Sequence, residues 1–158
     1  MKLYSRDMID SFENKKQKGK QIIKYSLFVI VPIFVLLLIF VKLRTKTLFV
    51  LLCTLDLSVF AVIFTYNMLE NIVKSNDSIR HINNILNTNP TSFSGTITSI
   101  SKEITLQRNV HIVEVEIKSN SIVKAYFNVD LFDMNFKIGD NINVKTSNNF
   151  ISECEVVL

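Results

Sequence analysis

Asp56 is the only charged residue between Leu48 and Leu69, a stretch otherwise built of apolar and small polar side chains. A carboxylate in such a helix is costly to bury, so it faces protein or an aqueous cavity, where it can hold a proton, a cation or a hydrogen-bond donor. Counting about 1.5 Å per residue from Leu48 places it roughly 12 Å deep. At that depth the preceding apolar run offers Phe34, Val35, Leu36 and their neighbours, with no cation or hydroxyl to pair with it. Thr54, Ser58, Ala61 and Thr65 form a stripe of small residues suited to close helix packing. Two positions along a helix turn about 200°, so Asp56 points nearly opposite that stripe. If the stripe meets the first apolar run, Asp56 faces another subunit, a lumen or lipid. The expectation is a homo-oligomer in which Asp56 side chains hydrogen-bond to one another or line a pore.

The remaining reactive side chains are scattered. Glu114 and Glu116 share one strand face, with Lys118 and Lys124 nearby, and Glu153 and Glu155 share another. Paired carboxylates can do acid/base work, but on a small β domain they read as a solvated charged face. His81 and His111 stand alone, and neither Cys53 nor Cys154 has metal-ligand spacing. A disulfide between them would draw Cys154 into an apolar helix. P-loop, dinucleotide, nucleophile-elbow and metalloprotease motifs are absent. Three glycines, Gly19, Gly95 and Gly139, cannot build a phosphate cradle. These features predict a protein that is not an enzyme and carries no cofactor or metal.

Two apolar runs, Tyr25–Val41 and Leu48–Leu69, position Asp56, and Lys42-Leu43-Arg44-Thr45-Lys46-Thr47 joins them. About 20 apolar residues suffice to span a bilayer as a helix. The reading is a transmembrane hairpin over residues 22–69, with spans 22–43 and 47–69. Pro32 is accommodated within the first span, and Tyr25 and Tyr66 fall at one end of the hairpin, as interfacial aromatics do. Residues 1–21 form an amphipathic prelude, with Tyr4, Met8 and Phe12 at helical spacing. Lys15, Lys16, Lys18, Lys20 and Lys24 then suit a membrane surface carrying anionic lipid. With Lys74 and Arg80, seven cations flank the termini against three in the connector, Lys42, Arg44 and Lys46. That bias places both termini in the cytoplasm of a multi-pass protein of the cytoplasmic membrane.

Residues 70–93 read as a helical stalk and linker. Leu69, Ile72, Asn76, Ile79, Asn83 and Leu86 would make a coiled-coil seam. Ile72, Ile79, Ile82 and Leu86 would instead dock on the domain that follows, and docking is favoured. Asn87-Thr88-Asn89-Pro90-Thr91-Ser92 breaks the helix. Over residues 94–158 the period changes to strands: Gly95–Leu106, Val110–Lys118, Ile122–Val129, Asn141–Thr146 and Phe150–Val157. Gln107-Arg108-Asn109 and Ser119-Asn120-Ser121 are turns. Phe127, Phe132, Phe136 and Phe150 read as core, and Leu131, Phe132, Met134 and Phe136 as a plug for one barrel end. The predicted fold class is membrane α+β: a two-helix hairpin followed by a small five-stranded OB/SH3-like β-barrel. Charge divides accordingly. Residues 1–93 carry 12 Lys and Arg against 6 Asp and Glu, net +6, and residues 94–158 carry 6 against 8, net −2. An acidic β domain argues against nucleic acid as a partner.

The run Phe136-Lys137-Ile138-Gly139-Asp140-Asn141-Ile142-Asn143-Val144, a Gly139-Asp140 turn before a late strand, resembles the C-terminal β-barrel of NfeD-type membrane proteins. It is also similar to an uncharacterised membrane family whose small domain opens on Gly-Thr-Val, here Gly95-Thr96-Ile97. The resemblance covers residues 95–157. The order hairpin then barrel resembles membrane-anchored β-barrel effectors of bacterial antiphage systems, whose barrels bind a cyclic nucleotide. These likenesses imply a bilayer-anchored β module that binds a protein partner or a small ligand. The alternative they imply is an oligomeric effector that permeabilises the membrane when its barrel is triggered.

Overall fold

The computed structural model describes residues 2–40, 46–107 and 110–157, apart from the side chains of Phe40, Lys46, Leu48 and Gln107. The expected connector residues Lys42–Thr45 and the turn residues Arg108 and Asn109 lie outside the described residues. Two compact units divide the chain: residues 11–76, and residues 1–10 together with 77–158.

The first unit is a pair of helices. Helix α1 runs from Arg6 to Phe40 without a break, passing through Pro32. The basic segment therefore continues the apolar run and does not form a separate surface helix. No breaker stands in Arg6–Lys24 except Gly19, and Lys, Gln and Ile all sustain a helix. Helix α2 spans Lys46–Tyr66 and leads into a π-helical segment, Asn67–Val73, followed by α3, Lys74–Leu86. The pair is antiparallel. Lys16 Nζ donates to Asn76 Oδ1 at 2.7 Å, and a Cβ placed on Gly19 would stand 2.7 Å from Asn71 Cβ. Partly or fully buried positions recur every three or four residues: Gly19, Ile23, Ser26, Ile30, Phe34 and Leu37 on α1, and Cys53, Asp56, Phe60, Ile63, Asn67 and Asn71 on the returning helix. This is the spacing of a left-handed helix pair. Away from that seam the apolar surface is open; Phe28 is 78% and Val62 70% exposed.

The second unit is a six-stranded mixed sheet: β1 Thr91–Ile100, β2 Thr105–Gln107, β3 Val110–Lys118, β4 Ile122–Asn128, β5 Asn141–Ser147 and β6 Phe150–Val157. The order is β1-β5-β6-β4-β3-β2, and β1 also pairs with β3. All neighbours are antiparallel except β4 and β6, which meet in parallel at Tyr126 and Phe150. The strand expected over Gly95–Leu106 is two strands separated by Ser101–Ile104, and it starts earlier, directly after Pro90. Strand β1 changes partner midway, pairing with β5 over Thr91–Thr96 and with β3 over Thr96–Ile100, with a bulge between Ile97 and Ser99. Gly95 sits at that change. A Cβ there would lie 2.5 Å from the Lys118 carbonyl oxygen and 2.8 Å from Ile117 Cγ2, so only glycine fits.

Alternate residues fill the interior: Val113, Val115 and Ile117 from β3, Ala125 and Phe127 from β4, and Ile142 and Val144 from β5 are all buried. Phe127, Phe136 and Phe150 are buried with them, and Phe132 packs edge-on to Phe127, so the four phenylalanines are core. Residues 77–86 of α3 dock on this sheet. Their buried residues are His81, Ile82 and Ile85, while Asn83 is exposed and Ile79 and Leu86 are half-buried. The docking stripe is thus rotated from Ile72, Ile79, Ile82 and Leu86. The Gly139-Asp140 turn is held on both sides. Lys137 N–H donates to Asp140 Oδ2 at 2.7 Å, and Gly139 N–H donates to the Ile97 carbonyl at 2.9 Å. Gly139 has φ +98°, and a Cβ there would meet nothing within 4 Å.

These two glycines make a contrasting pair. Gly95→Ala forces a side chain against backbone and should cost about 2–3 kcal/mol or more. Gly139→Ala pays only for the left-handed conformation, about 1–2 kcal/mol. Chemical denaturation of the two variants in detergent, followed by circular dichroism, should rank them in that order.

Candidate functional site

Within the helical pair, Asp56 lies at the centre of the 21-residue α2, ten positions from either end. It faces α1, in a groove of about 650 Å3 between the two helices whose walls include Ser26, Ile30, Ile33, Leu52 and Val59. Its Oδ2 is buried and has no hydrogen-bond partner. Ser26, the one hydroxyl of α1 in the groove wall besides Tyr25, donates to the Ile23 carbonyl at 2.8 Å. Thr54, Ser58, Ala61 and Thr65 lie on the other side and are exposed. The near-opposition of Asp56 and the small-residue stripe is therefore as the sequence predicts, but the faces are exchanged: Asp56 meets α1 and the stripe does not. Local hydrogen bonds explain this. Thr54 Oγ1 donates to the Leu51 carbonyl at 2.9 Å, and Ser58 Oγ donates to the Thr54 carbonyl at 2.6 Å. A hydroxyl bonded to its own helix needs no partner helix.

Toward the end of the second apolar run, the seam becomes polar and tight. Asn67 is buried; its Nδ2 donates to the Ile63 carbonyl at 2.8 Å, and its Oδ1 accepts from Asn71 Nδ2 at 2.8 Å. Gly19 opposes this pair at van der Waals distance. The widened π-helical turn begins at Asn67. The cations Lys15, Lys18, Lys20 and Lys24 are exposed along α1, and Lys16 is tied to Asn76.

On the β unit, three of the four paired carboxylates, Glu114, Glu116 and Glu153, are joined to lysines across strands. Lys124 Nζ lies 2.7 Å from Glu114 and 3.6 Å from Glu116, and Lys145 Nζ lies 2.6 Å from Glu153. The hydrogen bond to Glu114 raises the Lys124 pKa, and the bond to Lys145 lowers that of Glu153. His111 Nδ1 sits 2.9 Å from Asp130 Oδ1. Neither Cys53 nor Cys154 is in a disulfide, and burial raises the Cys154 pKa. A hollow of about 270 Å3 has Leu3, Phe127, Phe136 and Cys154 in its walls and Asp133 and Glu155 at its rim. Among the described residues no three His, Cys, Asp or Glu side chains gather as a metal site.

Sequence reasoning missed the N-terminus of the β unit. Leu3 N–H donates to the Ser152 carbonyl at 2.9 Å, and Lys2 forms a single antiparallel bridge with Glu153. Tyr4 is 1% exposed, edge-on to both Phe132 and His81, and its hydroxyl lies 3.4 Å from His81 Nε2. His81 in turn packs against Phe150 with ring centroids 4.5 Å apart. The available signal was the adjacent Leu3-Tyr4 pair, which reads equally as helix or strap. No family model, curated protein or solved structure matches this chain.

Burial drives the Tyr4 pKa above its ordinary value of 10.0. A raised folded-state value means stability is retained below the unfolded pKa and lost as pH rises beyond it. Native protein should therefore lose stability above pH about 10. Tyr4→Phe should be less stable at neutral pH but lose less between pH 9 and 11, as read by thermal unfolding across that range.

Proposed function

We propose that this chain is a multi-pass protein of the cytoplasmic membrane whose α1–α2 hairpin crosses the bilayer and whose β unit is a non-enzymatic module for binding a protein or sensing a small ligand. The observation that carries this reading is the open apolar surface of the hairpin. Both helices are long and apolar enough to cross a membrane, with mean hydropathies of 2.7 and 2.1 over their best windows. Phe28, Leu51, Leu55 and Val62 are all exposed. Water does not tolerate such a surface, whereas hydrocarbon does.

The cation bias supports cytoplasmic termini, and the exposed lysines of α1 suit anionic headgroups. For the β unit, the pairing path β1-β5-β6-β4-β3 with its β3–β1 contact supports a small OB/SH3-like barrel, with β2 as an added edge. Glu114, Glu116 and Glu153 are engaged in cross-strand ion pairs, which favours a binding surface over acid/base chemistry. The net −2 over residues 94–158 favours partners other than nucleic acid.

Two measurements test this together. Alkaline carbonate should leave the protein in the membrane pellet. An impermeant thiol reagent should label Cys substituted at Lys137 or Ile138 only after intact cells are opened. Release by carbonate contradicts the crossing, and labelling of intact cells contradicts the cytoplasmic placement.

A further inference from the structure

On the reading that α1 and α2 cross the bilayer, we propose that the groove between them seats a membrane-spanning helix of a different protein, one carrying a lysine or arginine near mid-bilayer that pairs with Asp56. The groove has the dimensions of a helix site. Its wall runs along α1 from Ile22 to Leu37, about 22 Å at the helical rise. Its surface is apolar apart from Asp56, Ser26 and Tyr25. Van der Waals packing along such a wall is what associates helices in lipid.

Charge selects the occupant. Asp56 Oδ2 is shielded from solvent and unpaired, and the Ser26 hydroxyl is already committed to its own helix. A carboxylate ten residues, or about 15 Å, from either end of α2 is costly without a partner. The chain cannot supply that partner. It has no Lys, Arg or His between Lys24 and Lys42, nor between Lys46 and Lys74. A second copy brings another carboxyl group to the same depth, which can share a proton with Asp56 but brings no cation to form an ion pair. The complement is a foreign helix with a basic side chain at matching depth, whose ammonium or guanidinium would pair with the Asp56 carboxylate where it lines the groove.

The test uses full-length protein in phosphatidylcholine vesicles and synthetic leucine-based transmembrane peptides with Lys, Leu or Glu at the central position. Association is read by energy transfer between labelled peptide and protein. The Lys peptide should bind about tenfold or more tightly than the Leu peptide. That preference should vanish in Asp56→Asn and Asp56→Leu and survive in Asp56→Glu. Equal binding of the Lys and Leu peptides, or an unchanged preference in Asp56→Asn, overturns the proposal. So does self-association that is lost in Asp56→Leu without any lysine preference, which assigns the groove to a second copy. Carbonate extraction of the same vesicles separates this claim from the one beneath it. Retained protein without a lysine preference overturns the partner alone, and released protein overturns both.

Discussion

Gly19 approaches Asn67 and Asn71 so closely that a methyl group in its place would collide with Asn71. The organisation of the helical unit follows from this contact. It fixes the phase of both helices, because a seam that places Gly19 inward also places Ile23, Ser26 and Ile30 inward on α1. On the returning helix the same phase turns Ile63, Phe60 and Asp56 toward α1. The two asparagines bond along their own helix, to the Ile63 carbonyl and to each other, so the tight end of the seam leaves their amides satisfied. The bulky side chains farther along hold the helices apart, and a groove opens where Asp56 sits. At Asn67 and Asn71 the polar groups are paired, whereas an oxygen of Asp56 and the hydroxyl of Ser75 are buried and left open.

A comparable economy governs the β unit. Strand β1 serves two neighbours, and it changes from one to the other at the single residue without a side chain, Gly95. The Gly139-Asp140 turn clamps the far side of that change through backbone bonds to Ile97. Tyr4, His81, Phe132 and Phe150 form a continuous set of edge-on ring contacts, so residues from the start of the chain, from α3 and from the sheet share one apolar cluster. Three segments distant in sequence are held by that cluster, and this explains why the unit includes residues 1–10 and 77–86 besides its strands.

Much of this architecture was legible in the sequence, for reasons that differ by element. Strands β3 and β6 run over the expected residues; in β3, buried Val113, Val115 and Ile117 alternate with half-buried Glu114 and Glu116, and β6 is buried at its start, at Phe150 and Ile151. Strand β1 was set too late because Thr91 and Ser92 are polar and follow Pro90, and their β role comes from pairing with Lys145 and Thr146 of β5. The basic run Lys15–Lys20 suggested a separate segment, but charge does not end a helix. The burial of Tyr4 is non-local; it depends on His81 and Phe132, which no window around Tyr4 contains. At Asp56 the helical angle gave the opposition to Thr54 and Ser58 directly. Which face met α1 depended on the bulkier residues of α2 and on hydroxyls that bond to their own backbone.

The central claim is that α2 lies in hydrocarbon with Asp56 turned toward α1 and the small-residue stripe turned away. Nitroxide scanning of residues 53–67 in bilayers, with oxygen and a water-soluble nickel chelate as relaxation agents, measures both depth and facing. The account predicts weak nickel contact throughout the scan, least near residue 56. It also predicts low oxygen contact at 53, 56, 60, 63 and 67, and high contact at 54, 58, 61 and 65. Strong nickel contact across the scan, or the opposite oxygen phase, would contradict it.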